Sequence, residues 1–151
     1  MDARLNAAKA SPGAYKAMMA VQGFVNHCGL EINILELVKL RASQINGCAY
    51  CLAMHTRDAR KHGISNERMH LLNAWREAPL YSERERAALA WTEALTLITQ
   101  GHAPDEVYAQ ARAQFSDKEL VDLTLAITTI NAWNRLAIAF RTPPEVAGKL
   151  A

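Results

Sequence analysis

Four side chains within one short stretch have types and spacing that suit shared chemistry: Glu36, Cys48, Cys51 and His55. Cys48 and Cys51 form a Cys-x-x-Cys pair directly after Asn46-Gly47, a sharp-turn dipeptide. That places them in the first turn of a helix, where free backbone N–H groups and the helix dipole favour an anion. A thiolate is such an anion, and thiols so placed ionise below the ordinary value of about 8.5. Residues three apart share a helix face, so the two sulfurs can meet as a disulfide. His55 follows Cys51 by four residues, one turn along the same face. An imidazole there can take the thiol proton or return one to a leaving group.

Glu36 belongs to the preceding helix. If the chain reverses at Asn46-Gly47 into an antiparallel helix pair, residues equally far from the turn face each other. His55 then falls between Glu36 and Cys51, and Ser43 falls beside Cys51. A carboxylate, an imidazole and a thiol in line make a proton relay. Other readings use the same residues. Zinc held by Cys48, Cys51 and His55 needs a fourth ligand, with His62, Cys28 and His27 as candidates. Cys-x-x-Cys on one helix is cramped for zinc, which ranks metal below redox chemistry. The plainest reading treats the cysteines as small buried hydrophobes, Glu36 as a solvated helix residue and Tyr50 as packing. Ser43 then bonds back to its own helix. Cys28 reads as packing, and His62, before Gly63, as a partner of the helix C-terminus.

The elements that position these residues all have the helical period, with no strand signal. The expected class is all-α, one domain over residues 1–151, with six to seven helices. Ser11-Pro12 opens the first, which runs to about Cys28 and stops at Gly29. The second covers about Glu31 to Asn46, with Ile34, Leu37, Val38, Arg41 and Ile45 on the i, i+3, i+4 rule. The third covers about Cys48 to His62 and ends at Gly63. A fourth covers about Asn66 to Glu77, before Pro79. Ser82 with Glu85, and Ser116 with Glu119, are capping boxes. They open helices to about Gln100 and about Arg141, with a short helix, Pro104 to Gln114, between them. Pro143-Pro144 ends the last helix and leaves a short tail to Ala151. Met18, Met19 and Trp75 are expected in the core, and Trp91 and Trp133 in the core or at a subunit interface.

Composition narrows the function classes. Half of the residues are hydrophobic and 21% are charged, which suits a folded domain. Residues 1–75 hold 9 basic and 5 acidic side chains, and residues 76–151 hold 8 and 10. Neither half has the charge density of a nucleic-acid footprint. The most apolar stretch, Leu120 to Phe140, contains Asp122, Asn131, Asn134 and Arg135, so it reads as a buried helix and not a membrane span. Its apolar positions surround the helix almost completely, which predicts a homo-oligomer. The first ten residues lack the apolar run of a signal peptide, so the cytoplasm is the expected compartment.

Glu36, Leu40, Ser43, Gly47-Cys48-Ala49-Tyr50-Cys51, His55 and Gly63 resemble the core motif of the alkylhydroperoxidase D / carboxymuconolactone decarboxylase family. Ile130-Asn131-Ala132-Trp133-Asn134-Arg135 resembles a second recurring stretch of those proteins, and together the two span roughly residues 20–140. The resemblance implies an all-helical fold assembled as trimers or hexamers and a thiol-dependent peroxidase acting on organic hydroperoxides. It implies that Cys51 attacks the peroxide, that Cys48 resolves the product, and that Glu36 and His55 form the relay. It also implies an external reductant, thioredoxin-like or lipoamide-type, and no cofactor or metal. In the best-characterised peroxidase branch a second histidine lies between the cysteines, where this chain has Tyr50. A phenol is a far weaker base than an imidazole at neutral pH. The alternatives are a lyase acting on a small lactone with His55 and Glu36 as acid and base, and a redox-sensing or zinc-holding oligomer. The decarboxylase branch does not rely on such a cysteine pair, which counts against the first.

Overall fold

The computed structural model describes residues 2–146, and most of the expected tail after Pro143-Pro144, residues 147–151, lies outside the described residues. The described residues are all-helical: α1 (Ala7–Ala10), α2 (Pro12–Asn26), α3 (Ile32–Asn46), α4 (Ala49–Lys61), α5 (Asn66–His70), α6 (Glu83–Thr96), α7 (Asp105–Gln114) and α8 (Asp117–Phe140). The helices expected from the sequence are present, and the single turn of α1 is added, capped by the Asn6 side chain on the Lys9 N–H.

The helix ends follow from local chemistry. Both capping boxes are complete: the Ser82 and Ser116 hydroxyls accept from the N–H groups of Glu85 and Glu119, whose carboxylates accept from the serine N–H groups in return. Ser11 makes no side-chain cap bond, and α2 starts on Pro12, whose ring presets the helical φ. One expected helix is broken. Instead of continuing to Glu77, α5 stops at His70 and a 3-10 turn, Leu72–Ala74, follows. The reason lies in side chains from elsewhere. Trp75 donates its indole N–H to Glu93 on α6 at 2.8 Å, which pulls this segment down onto α6. Arg86 then bonds the carbonyls of Arg76, Ala78 and Tyr81, which satisfies an irregular backbone without helix bonds. α6 also ends before Gln100, at Thr96.

Helix α3 is the centre of the molecule, buried from Ile34 to Leu40 without interruption. One side joins a core of α2, α6, α7 and α8 around Val25, Leu35, Val38, Trp91, Leu123 and Ile127. The other joins a second core of α4, the α5 region and α6 around Leu37, Leu40, Ala59, Leu72, Trp75 and Leu89. A helix flanked by two cores holds its side chains in fixed rotamers, which suits a site that needs accurate placement. Glu93 ties these layers together by accepting from Arg41 of α3 at 2.8 Å, from Trp75 and from Arg76. Burial pushes its carboxyl up, but Trp75, Arg76 and Arg41 outweigh burial and hold it below its ordinary value.

One expectation about burial is corrected. Met19 is 47% exposed rather than in the core, because α2 turns only Val25 fully inward. Helix α8 buries Asp122, Asn131 and Asn134, while Val121 and Ile138 face outward from the single chain. No helix among the described residues is long and apolar enough to cross a membrane.

Candidate active site

The turn between α3 and α4 builds the site. Gly47 closes α3 in the left-handed conformation (φ 69°) and returns its N–H to Gln44 and Ser43. A side chain there would be strained, so glycine permits the immediate reversal. Cys48 is the N-cap of α4, and its sulfur accepts from the Cys51 N–H at 3.3 Å. Cys48 and Cys51 are joined as a disulfide with Cα atoms 5.4 Å apart. Both are 1% exposed and pack against Ala137 of α8 and Tyr50. The expectation that spacing alone lets the sulfurs meet therefore holds.

One turn further, His55 is 8% exposed, and across the seam on α3 Glu36 is 2% exposed. His55 Nδ1 lies 3.6 Å from Glu36 Oε2, and neither atom has another hydrogen-bond partner. The antiparallel seam thus brings Glu36, His55 and the cysteine pair into one buried region. At 3.6 Å the contact is an ion-pair distance, a few tenths of an ångström beyond a hydrogen bond.

A group that sequence reasoning missed completes the arrangement. Lys39, 8% exposed, donates to Glu36 Oε1 at 3.0 Å. A buried carboxylate needs such a partner to stay charged. Burial pushes the Glu36 carboxyl up, but His55 and Lys39 outweigh it and hold the group below its ordinary 4.5. The signal was present in sequence: Lys39 follows Glu36 at i, i+3, a pairing distance on a helix.

Ser43 is fully buried, but its hydroxyl accepts from Asn134 Nδ2 at 3.0 Å, and no bond to Cys51 is formed. Asn134 is one of a set that fixes α8 against the turn. Asn46 Nδ2 donates to both Asn131 Oδ1 and Asn134 Oδ1 at 2.9 Å, and Asn131 Nδ2 donates to Thr96 Oγ1 at 3.0 Å. This network holds the end of α3, and with it Gly47 and the cysteines, against α8. Beside the seam, a groove of ≈ 530 Å³ lies between α3, α4 and the α5 region, lined by Leu40, Gln44, Leu52, Thr56, Arg60 and His70 among others. Neither cysteine lines it.

The candidate zinc ligands do not converge. Among the described residues no group of three or more His, Cys, Asp or Glu side chains is placed to hold a metal ion. Cys28 stands apart as a free thiol, and His27 bonds the Gly23 carbonyl at 2.8 Å.

A family model described as the Carboxymuconolactone decarboxylase family matches residues 12–94, which contain the whole Glu36–His55 constellation. This chain belongs to that family. Among its relatives is the uncharacterised protein YdfG of Bacillus subtilis, 41% identical over 92% of this chain and 95% of the relative. A solved structure from Agrobacterium tumefaciens is 48% identical, covers 97% of this chain and all of that chain, and superposes with a TM-score of 0.94. That protein is of unknown function and is described as a candidate AhpD antioxidant defence protein. A debrominase shares the fold with a TM-score of 0.79 at 17% identity, over 91% of this chain and 74% of that one. The carboxymuconolactone decarboxylase fold therefore carries more than one chemistry, and the residues of the site must discriminate.

Proposed function

We propose that this family member is a thiol-dependent peroxidase that reduces organic hydroperoxides through Cys51 and Cys48. The observation that carries the reading is the buried Glu36–His55 pair standing one helical turn from a cysteine pair able to close a disulfide. In the reduced protein His55 takes the Cys51 proton, and Glu36, itself balanced by Lys39, stabilises the imidazolium. The thiolate attacks the peroxide oxygen, the O–O bond breaks, and Cys51 becomes a sulfenic acid while the leaving oxygen takes a proton. The Cys48 thiol condenses with it, releasing water and forming the disulfide. A dithiol reductant, thioredoxin-like or lipoamide-type, restores both thiols by exchange. The resemblance to AhpD-type proteins and the Agrobacterium description support the same reading.

Tyr50 and Ala137 cover the sulfurs, so the hydroperoxide reaches Cys51 once that cover shifts. The protein works as a homo-oligomer, trimer or hexamer. The support is α2, which exposes Tyr15, Met19 and Phe24 along a helix that fully buries one residue. Trapping with dimedone tests the chemistry. Cys48→Ser treated with cumene hydroperoxide should accumulate a sulfenic acid adduct on Cys51, and Cys51→Ser should give none. An adduct absent from both variants refutes the reading and favours a lyase that uses Glu36 and His55 without thiols.

A further inference from the structure

We propose that His62 is the port through which the buried relay exchanges protons with solvent. The role in turnover rests on the peroxidase reading, while the port itself does not. Cys51, His55 and Glu36 are 1%, 8% and 2% exposed, so no member of the relay meets bulk water well. Yet protons cross between solvent and Cys51 in each cycle. On reduction, a dithiol gives two electrons to the disulfide and two protons to solvent, and each sulfur takes up one proton in return. On oxidation, the Cys51 proton passes to His55 and the leaving oxygen of the peroxide takes one up.

The two oxygens of Glu36 divide the problem. Oε2 faces His55. Oε1 accepts from Lys39 and lies 4.0 Å from His62 Nδ1. His55 and His62 are seven residues apart, so both rings stand on the same face of α4 and meet the same carboxylate from its two sides. The His62 side chain is 40% exposed, because it occupies the C-cap of α4 just before Gly63 (φ 83°) ends the helix. It thus touches the relay at one end and water at the other. A small side-chain rotation or one bridging water closes 4.0 Å. Lys39 cannot serve in its place, since an ammonium offers donors and no acceptor. An imidazole can accept on one nitrogen and donate from the other near neutrality. The other charges nearby on α4 are Asp58 and Lys61, which pair with each other at 3.4 Å. From α3 the facing charges are Glu36 and Lys39.

The test measures exchange of the His55 ring N–H with water by NMR on the full chain in reduced and disulfide forms, comparing wild type, His62→Gln and His62→Ala. Both variants should exchange about tenfold more slowly, the loss of one positioned acid–base group with some leakage around it. Added imidazole should restore the rate in His62→Ala, and melting temperatures should stay near wild type because the 40% exposed ring makes no hydrogen bond among the described residues shorter than its 4.0 Å approach to Glu36. Unchanged exchange in both variants overturns the proposal, as does a slowing produced by Tyr50→Phe instead. A parallel stopped-flow oxidation by cumene hydroperoxide should show the same slowing and the same rescue by imidazole. If wild type is not oxidised at all, the peroxidase reading fails, and the port is still decided by the exchange rates.

Discussion

The buried ion pair between Glu36 and Lys39 makes a sharp prediction about Glu36→Gln. The substitution keeps the shape and an oxygen for Lys39 but removes the charge. Lys39, 8% exposed and 3.0 Å from that oxygen, is then a buried cation without a counter-ion. Removing one partner of a buried pair costs about 3–5 kcal/mol, and the retained amide oxygen puts this case near about 3 kcal/mol. For a chain of this size each kcal/mol moves the melting temperature by about 2–4 °C, so the variant should melt about 6–12 °C lower at neutral pH. Two further measurements isolate the cause. In Glu36→Leu/Lys39→Met most of the loss should return, since an apolar replacement of both partners is close to neutral. The pH dependence fixes the sign. The folded Glu36 carboxyl lies below its ordinary 4.5, so its stabilisation is present above that value and is lost as pH falls through the lower, folded value. The deficit of Glu36→Gln should therefore shrink as pH falls below 4.5 and through the lower, folded value. Melting curves by circular dichroism across pH supply the data. A variant as stable as wild type at neutral pH, or a deficit that persists unchanged in acid, refutes the reasoning.

Two further outcomes follow from the same structure. Asn134→Ala removes a fully buried amide that bonds Ser43 and Asn46. At about 1 kcal/mol per bond plus a small cavity, it should cost about 2–3 kcal/mol, and a melting temperature within about 2 °C of wild type would contradict the network. The proposed assembly through α2 predicts that Phe24→Arg combined with Met19→Glu, which places charges on its exposed face, reduces the light-scattering mass to that of one chain; a mass unchanged from wild type would contradict it.

Much of the site was legible because its geometry is local. The turn at Asn46-Gly47 and the i, i+3 and i, i+4 spacings of Cys48, Cys51 and His55 fix their relative placement within one and a half helices. The antiparallel seam then needs a single assumption to bring up Glu36, and His55 does lie 3.6 Å from it. What escaped the sequence was long-range or counter to polarity. Lys39 reads as a surface residue, and burial becomes sensible only once Glu36 is known to be buried beside it. Ser43 bonds Asn134, 91 residues away, and no local rule connects them. Along α8 polarity alone does not rank burial: Asn134 is buried by bonds to the α3 end, and Val121 is 67% exposed in the single chain. The break after α5 likewise depends on Glu93 and Arg86 of another helix, which periodicity within residues 66–77 cannot register.

The central claim, that Cys51 and Cys48 together reduce a hydroperoxide, is tested most directly by counting thiols. Reduced protein is treated with one equivalent of cumene hydroperoxide, alkylated and weighed by mass spectrometry, for wild type and Cys51→Ser. The account predicts that wild type loses two thiols to a Cys48–Cys51 link while Cys51→Ser loses none. A wild type that keeps every thiol contradicts it.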